Sequence, residues 1–153
     1  MNNLGSALAE VRRFGEAIDA HQQAAQISRE TGDRDGEGKA LNNLGLALWE
    51  VRRFGEAIET HQQVIAICRE TGDRDGEGRA LNNLGLTLTE VRKFGEAIDA
   101  HQQAAAIYRE TSNRHREGRA LNNLGAALRK RGRLIKARRA FARARELLSE
   151  FGE

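Results

Sequence analysis

The chain is expected to fold as an all-α solenoid, a stack of antiparallel helical hairpins. Three observations lead there. The first is an internal repeat: Leu41–Ala80, LNNLGLALWEVRRFGEAIETHQQVIAICRETGDRDGEGRA, recurs with a period of 40 residues. Met1–Ala40 matches it at 30 of 40 positions and Leu81–Ala120 at 28 of 40, while Leu121–Glu153 opens with the same LNNLG and then diverges. Such a period marks an array whose units bury their apolar faces only against neighbours. The second is the spacing of apolar residues. Leu41, Leu44, Leu48 and Val51 recur every three or four positions, as do Phe54, Ile58, His61, Ile65 and Cys68. Both stripes fit a period of 3.6 and neither fits 2. The third is the absence of proline, which inside a helix costs about 3 kcal/mol.

Each repeat therefore reads as a helix A and a helix B. The expected helices are 1–11, 15–30, 34–51, 55–70, 74–91, 95–110, 114–131 and 134–150, and the expected repeats are 1–33, 34–73, 74–113 and 114–153 of one domain spanning 1–153. The break inside a repeat is Arg52-Arg53-Phe54-Gly55, and the break after it is Thr71-Gly72-Asp73-Arg74-Asp75-Gly76. Gly72 suits the left-handed geometry that closes a helix. Asp73 can cap the helix that follows, and Asp75 and Glu77 favour its positive end. In the third junction Asn113 keeps the cap while the glycine has become Ser112.

Gly45 lies mid-helix and recurs as Gly5, Gly85 and Gly125. Glycine there costs roughly 1 kcal/mol against alanine. Its return in every repeat implies close approach of another backbone, with Ala57 on helix B as the expected neighbour. The first helix A is short, because Met1 occupies the place of Leu41. The last helix B carries Arg138, Arg139, Arg143 and Arg145, as a capping repeat with a polar outer side should.

Composition bounds the function. Charged residues make up 31% and hydrophobic residues 39%, a foldable balance. No apolar run is long enough to span a membrane, and no secretory leader is visible at the start. With a single cysteine, Cys68, no intramolecular disulfide can form, which fits a reducing, cytoplasmic setting. The net charge of +3 is uneven: residues 1–127 hold 16 Lys+Arg against 19 Asp+Glu, and residues 128–153 hold 9 against 3.

The pattern Leu41-x2-Leu44-Gly45-x2-Leu48 followed by Ala57-x3-His61 resembles the tetratricopeptide repeat. The longer period, the NNLG and AI..H segments and the GDR.GEG junctions are similar to the repeats of Pins-type spindle-orientation adaptors and of bacterial regulatory arrays. The usual glycine of the A–B turn is replaced by Arg12, Arg52 and Arg92, and only Gly132 keeps it. The resemblance implies a right-handed superhelix of about four hairpins, whose A helices line a concave, ligand-binding surface. On that surface it places Lys39, Asn43, Leu46 and Trp49, then Arg79, Asn83 and Leu86, then Arg119 and Asn123. An asparagine amide offers a donor and an acceptor and so matches a peptide group. A ladder of them could hold an extended or short helical peptide. The neighbouring Lys39, Arg79 and Arg119 favour an acidic one. One asparagine of each pair, Asn42/Asn43, Asn82/Asn83 and Asn122/Asn123, could instead bond the neighbouring repeat or face water. Trp49 reads equally as an anchor or as packing.

Other chemistries fare worse. His21, His61 and His101 stand one repeat apart, on the order of 10 Å, too far to share a zinc ion, and no HExxH or cysteine cluster occurs. They are expected to pack. Asp73-x-Asp75-Gly76 lacks the later ligands of a calcium loop. The glycines of GEG form no phosphate loop. Side chains copied along a solenoid do not converge on one pocket, so the chain is expected to be no enzyme and to need no cofactor. The expected partner is a protein or peptide. A different reading is self-assembly through unfinished ends, by end-to-end packing or helix exchange. Nucleic acid is a weaker reading: the basic last repeat lacks interleaved aromatics.

Overall fold

The computed structural model describes residues 3–152, with side chains described for residues 10–152. Seven helices and no strand occur among the described residues: α1 (Asn3–Thr31), α2 (Arg34–Glu50), α3 (Phe54–Thr71), α4 (Arg74–Glu90), α5 (Phe94–Glu110), α6 (Arg114–Lys130) and α7 (Leu134–Ser149). The chain divides into two compact units, Met1–Thr71 and Gly72–Glu153. In the first, α2 packs on both α1 and α3; in the second, each helix packs on the next and α4 also touches α6.

The core of each unit is the pair of stripes read from the sequence. In the first unit Leu41, Leu44 and Leu48 of α2 meet Ala57, Val64 and Ile67 of α3, all buried. In the second, Leu81, Leu88, Ala97, Ala104, Ile107, Leu121, Leu128, Ala144 and Leu147 do the same. Each fully buried leucine or isoleucine contributes about 1.5–3 kcal/mol.

The junctions follow their residue chemistry. Gly32 and Gly72 both take φ +77°, and Ser112 is held at φ +59° in the equivalent place. Asp33, Asp73 and Asn113 then cap α2, α4 and α6 by accepting from the backbone N–H of Gly36, Gly76 and Arg116. Inside the repeat the left-handed residue is Arg52 or Arg92, each at φ +63°. Arg53 N–H closes that turn onto Leu48 O at 2.9 Å. The Arg52 guanidinium covers the Phe54 ring at 5.1 Å and Arg92 covers Phe94 at 5.5 Å.

One expected break is absent. Helices were expected over 1–11 and 15–30, but α1 runs unbroken through Arg12-Arg13-Phe14-Gly15. A left-handed arginine costs on the order of 1–2 kcal/mol. In α2 that cost is offset by a long partner face that buries Glu37, Gly38 and Ala40. In α1 the equivalent Arg12 takes no left-handed φ, and the continuous helical ladder runs on. Ile27 is consequently 61% exposed, whereas its equivalents Ile67 and Ile107 are 4% exposed.

Mid-helix glycine does mark a close approach, but not by Ala57. A Cβ on Gly45 would lie 2.5 Å from His61 Cε1, and one on Gly85 would lie 2.5 Å from His101 Cε1. At Gly125 the Phe141 ring takes that place, at 2.8 Å. Helix A thus gives up a side chain so that a flat ring can lie on its backbone. The side-chain surroundings of Gly5 lie outside the described residues.

Candidate functional site

The structure sets the expected site residues on the helix faces turned away from these cores. In the first unit Lys39, Asn43 and Leu46 of α2 are exposed. Their spacing of four and three puts them on one stripe. Leu46 keeps 45% of its surface open to solvent. Trp49 continues the stripe but is half-buried, edge-on to Phe54 with ring centroids 6.3 Å apart. Its Nε1 is buried and finds no hydrogen-bond acceptor among the described residues.

In the second unit Arg79 and Leu86 of α4 and Arg119 of α6 are exposed, while Asn83 and Asn123 are half-buried. Three of these residues meet at a cavity of about 400 Å³. There α4 contributes Arg79, Asn82 and Asn83, α5 contributes Tyr108, and α6 contributes His115, Arg116 and Arg119. Leu86 and Asn123 do not line it. Tyr108, His115 and Arg116 were not expected as site residues. The signal available for them was that they depart from the repeat.

The asparagine pairs divide their work. Asn82 Oδ1 accepts from His101 Nδ1–H at 2.7 Å and from Asn123 Nδ2 at 3.2 Å. Since an amide oxygen can only accept, Nδ1 carries the proton of the neutral imidazole. His101 Nε2 is then the bare nitrogen, and it lies buried without a hydrogen bond. In the first unit the corresponding atoms, Asn42 Oδ1 and His61 Nδ1, are both buried without a hydrogen bond among the described residues. So Asn42 is the inner and Asn43 the exposed member of the first pair, Asn82 and Asn83 are both half-buried at the cavity, and in the third pair the order reverses, with Asn122 exposed and Asn123 half-buried. Asn2 and the side chain of Asn3, expected to begin the ladder, lie outside the described residues.

Two of the three histidines expected to pack are buried, while His21 is half-buried. His61 and His101 are 1% and 0% exposed. Burial holds both imidazoles down at a pKa of about 4, so they are neutral in the fold. Burial likewise pushes the Tyr108 phenol up, against the opposing hydrogen bond and charge of Arg116.

Arginine–carboxylate pairs organise the open ends of the hairpins. Arg34 Nε donates to Glu70 at 2.5 Å, Arg74 pairs with Glu110, and Arg114 grips Glu150 through two bonds of 2.6 and 3.0 Å. Beneath them lie buried carboxylates. Glu37 accepts from Arg29 Nε at 2.9 Å and from Arg34 at 2.7 Å, and Glu117 accepts from Arg109 at 3.0 Å. Burial alone would raise the Glu37 carboxyl, but its two arginine partners outweigh that and hold it below its ordinary value. No group of three or more His, Cys, Asp or Glu among the described residues is placed to hold a metal ion. No described helix is long and apolar enough to cross a membrane.

Comparison with known proteins agrees with this geometry. A family profile described as "Tetratricopeptide repeat" matches residues 1–70, 39–110 and 76–150. No curated protein sequence matches. Among solved structures, BtubC (BKLC) from P. vanneervenii is 22% identical with a TM-score of 0.83, over 92% of this chain and 58% of that one. A Rap protein complexed with Competence and Sporulation Factor is 19% identical with a TM-score of 0.82, over 94% of this chain and 40% of that one. The nearly identical TPR-like repeats of a putative kinesin light chain from Podosopora anserina are 17% identical with a TM-score of 0.58, over 97% of this chain and 96% of that one. This chain thus spans 58% and 40% of the first two, and at these identities the likeness is one of fold.

Proposed function

Because this chain belongs to the tetratricopeptide repeat family, a family of protein-interaction modules, we propose that it binds an extended or short helical acidic peptide on its A-helix faces. The carrying observation is the stripe itself. On α2 it presents a cation, an amide and an exposed leucine as Lys39, Asn43 and Leu46; on α4 it presents Arg79, Asn83 and Leu86 in the same order. The amides would hold peptide groups, the cations carboxylates, and the leucines apolar side chains. Trp49 would extend the stripe of α2. A Rap protein of similar fold was solved in complex with Competence and Sporulation Factor, which supports ligand capture by such helices. The module works by binding, not catalysis.

The test is selection from a random peptide library against the native chain and against Asn43→Ala/Asn83→Ala/Asn123→Ala. Each lost amide contact is worth about 0.5–1.5 kcal/mol, so selected peptides, rich in Asp and Glu, should bind the variant at least tenfold more weakly while helical circular dichroism stays constant. Equal binding to both proteins would refute the reading.

A second reading, self-association, is favoured by exposed apolar residues: Val11 and Ile27 on α1, and Leu134 and Ile135 on α7. Light scattering over a hundredfold concentration range decides it. A constant monomer mass would eliminate it.

A further inference from the structure

In a chain of near-copies, the positions that break the copy are informative. Tyr108 stands where earlier repeats carry Ser28 and Cys68. His115 replaces Asp35 and Asp75, and Arg116 replaces Gly36 and Gly76. These three departures converge on the one cavity already shared by Arg79, Asn82, Asn83 and Arg119. One change removes a carboxylate, and another adds a guanidinium.

The resulting wall is built of donors. Three guanidiniums and two amides line it with no carboxylate, while the His115 ring is engaged by Phe151 and the Tyr108 hydroxyl by Arg116. On the neighbouring helix ends of this unit Arg74 is matched with Glu77 and Glu110, Arg109 with Glu117 and Arg114 with Glu150, whereas the arginines of the last hairpin, apart from Arg143 with Glu146, are spread over its open surface. Arg79, Arg116 and Arg119 form no ion pair among the described residues. Asn82 has its carbonyl oxygen occupied by His101 and Asn123, so the free end of its amide is the N–H₂. The Tyr108 ring is fixed against Gly78, where a Cβ would lie 2.9 Å from Cζ. The cavity therefore has a rigid floor and a wall of three guanidiniums, with the Asp75 carboxylate near enough to act on Tyr108.

We propose that this cavity seats the dianionic phosphoryl group of a phosphorylated side chain on the bound peptide. The proposal rests on the peptide-binding reading above and names the ligand chemistry at one point of it. A lone carboxylate would neutralise one of three guanidiniums. A phosphoryl group brings about −1.5 to −2 charge at neutral pH and three acceptor oxygens, which planar guanidiniums grip in pairs. A nucleic-acid strand suits the site less. Tyr108 is buried and offers no stacking face.

The test is NMR titration of the whole chain, reading backbone and arginine Nε–H shifts. The probes are acetyl-Gly-phosphoserine-Gly-amide, the same peptide with glutamate, inorganic phosphate and a thymidine oligonucleotide. Saturable shifts at residues 79, 82, 83, 116 and 119 are expected with the phosphoserine peptide and with phosphate. The glutamate peptide should bind at least tenfold more weakly. The exposed Arg119→Gln should cut phosphoserine affinity at least tenfold with the thermal midpoint unchanged; Arg116→Gln should cut it as far, with a lower midpoint because the buried Tyr108 hydroxyl loses a partner. No saturable shift, equal affinity for glutamate, tighter binding of the oligonucleotide, or full affinity in either arginine variant would each overturn the proposal. Phosphate binding that survives while library peptides fail would sink only the peptide reading. Peptide binding with no phosphoryl preference would sink only this one.

Discussion

Gly85→Ala and Gly95→Ala are the same substitution in the same unit, and they should move stability in opposite directions. At Gly95, in the first turn of α5, a Cβ meets nothing within 4 Å. The change should stabilise by about 0.5–1 kcal/mol, because glycine loses more backbone freedom on folding. At Gly85 a Cβ would stand 2.5, 2.6 and 2.8 Å from Cε1, Nε2 and Nδ1 of His101. That ring is fully buried and cannot swing into water. Overpacking of this kind costs about 1–3 kcal/mol. Displacing the ring also strains the Nδ1–H bond to Asn82, worth about 1 kcal/mol, while better helix propensity returns about 1 kcal/mol. The net loss is about 1–3 kcal/mol, a fall of roughly 2–10 °C in thermal midpoint for a chain of this size. Urea and thermal unfolding followed by circular dichroism measure it. A cycle with His101→Ala should show coupling of about 1 kcal/mol or more, since the clash vanishes with the ring. If Gly85→Ala matches wild type or gains stability as Gly95→Ala does, the ring-on-backbone account of the repeated glycine is wrong.

The neutral histidines give a pH signature. Folded His61 and His101 protonate near pH 4, unfolded ones near 6.5. The unfolded state therefore takes up protons first as pH falls, so stability is full above about 6.5 and declines toward 4. The limit is about 3 kcal/mol per residue. His61→Phe/His101→Phe, copying the ring that Phe141 supplies, should flatten the difference in urea midpoint between pH 7 and 5; an unchanged slope would contradict the assignment. At the third junction, Ser112→Gly should raise stability by about 1 kcal/mol, because Ser112 is held at φ +59°. A fall in midpoint would show that the serine earns its place through another contact.

The repeat period and the 3.6 spacing made the hairpins legible, and with them the caps at Asp33, Asp73 and Asn113. They made faces legible but not depth. Ala57 and His61 lie one turn apart on the same stripe of α3, so a pattern cannot say which of them reaches Gly45; size decides, because only the imidazole spans the gap. Glu77, read as a charge favouring a helix start, is buried, as are its equivalents Glu37 and Glu117. Glu37 and Glu117 are buried because Arg29 and Arg109, eight residues upstream on the preceding helix, reach back to them. A helical period cannot register that pairing, since a junction intervenes. The straight α1 escaped for a different reason: Arg12 and Arg52 share one local sequence, so nothing local separates a turn at one from a continued helix at the other. At the cavity, the family resemblance had pointed to Arg79, Asn83 and Arg119, which recur from repeat to repeat. It passed over Tyr108 and Arg116 because they do not. The repetition that makes a solenoid readable conceals its specificity, which must lie where one repeat differs from the next. Copying the equivalent residues of the preceding repeat into one protein, Tyr108→Cys with Arg116→Gly, should therefore leave the hairpins intact and erase the anion preference proposed for this cavity.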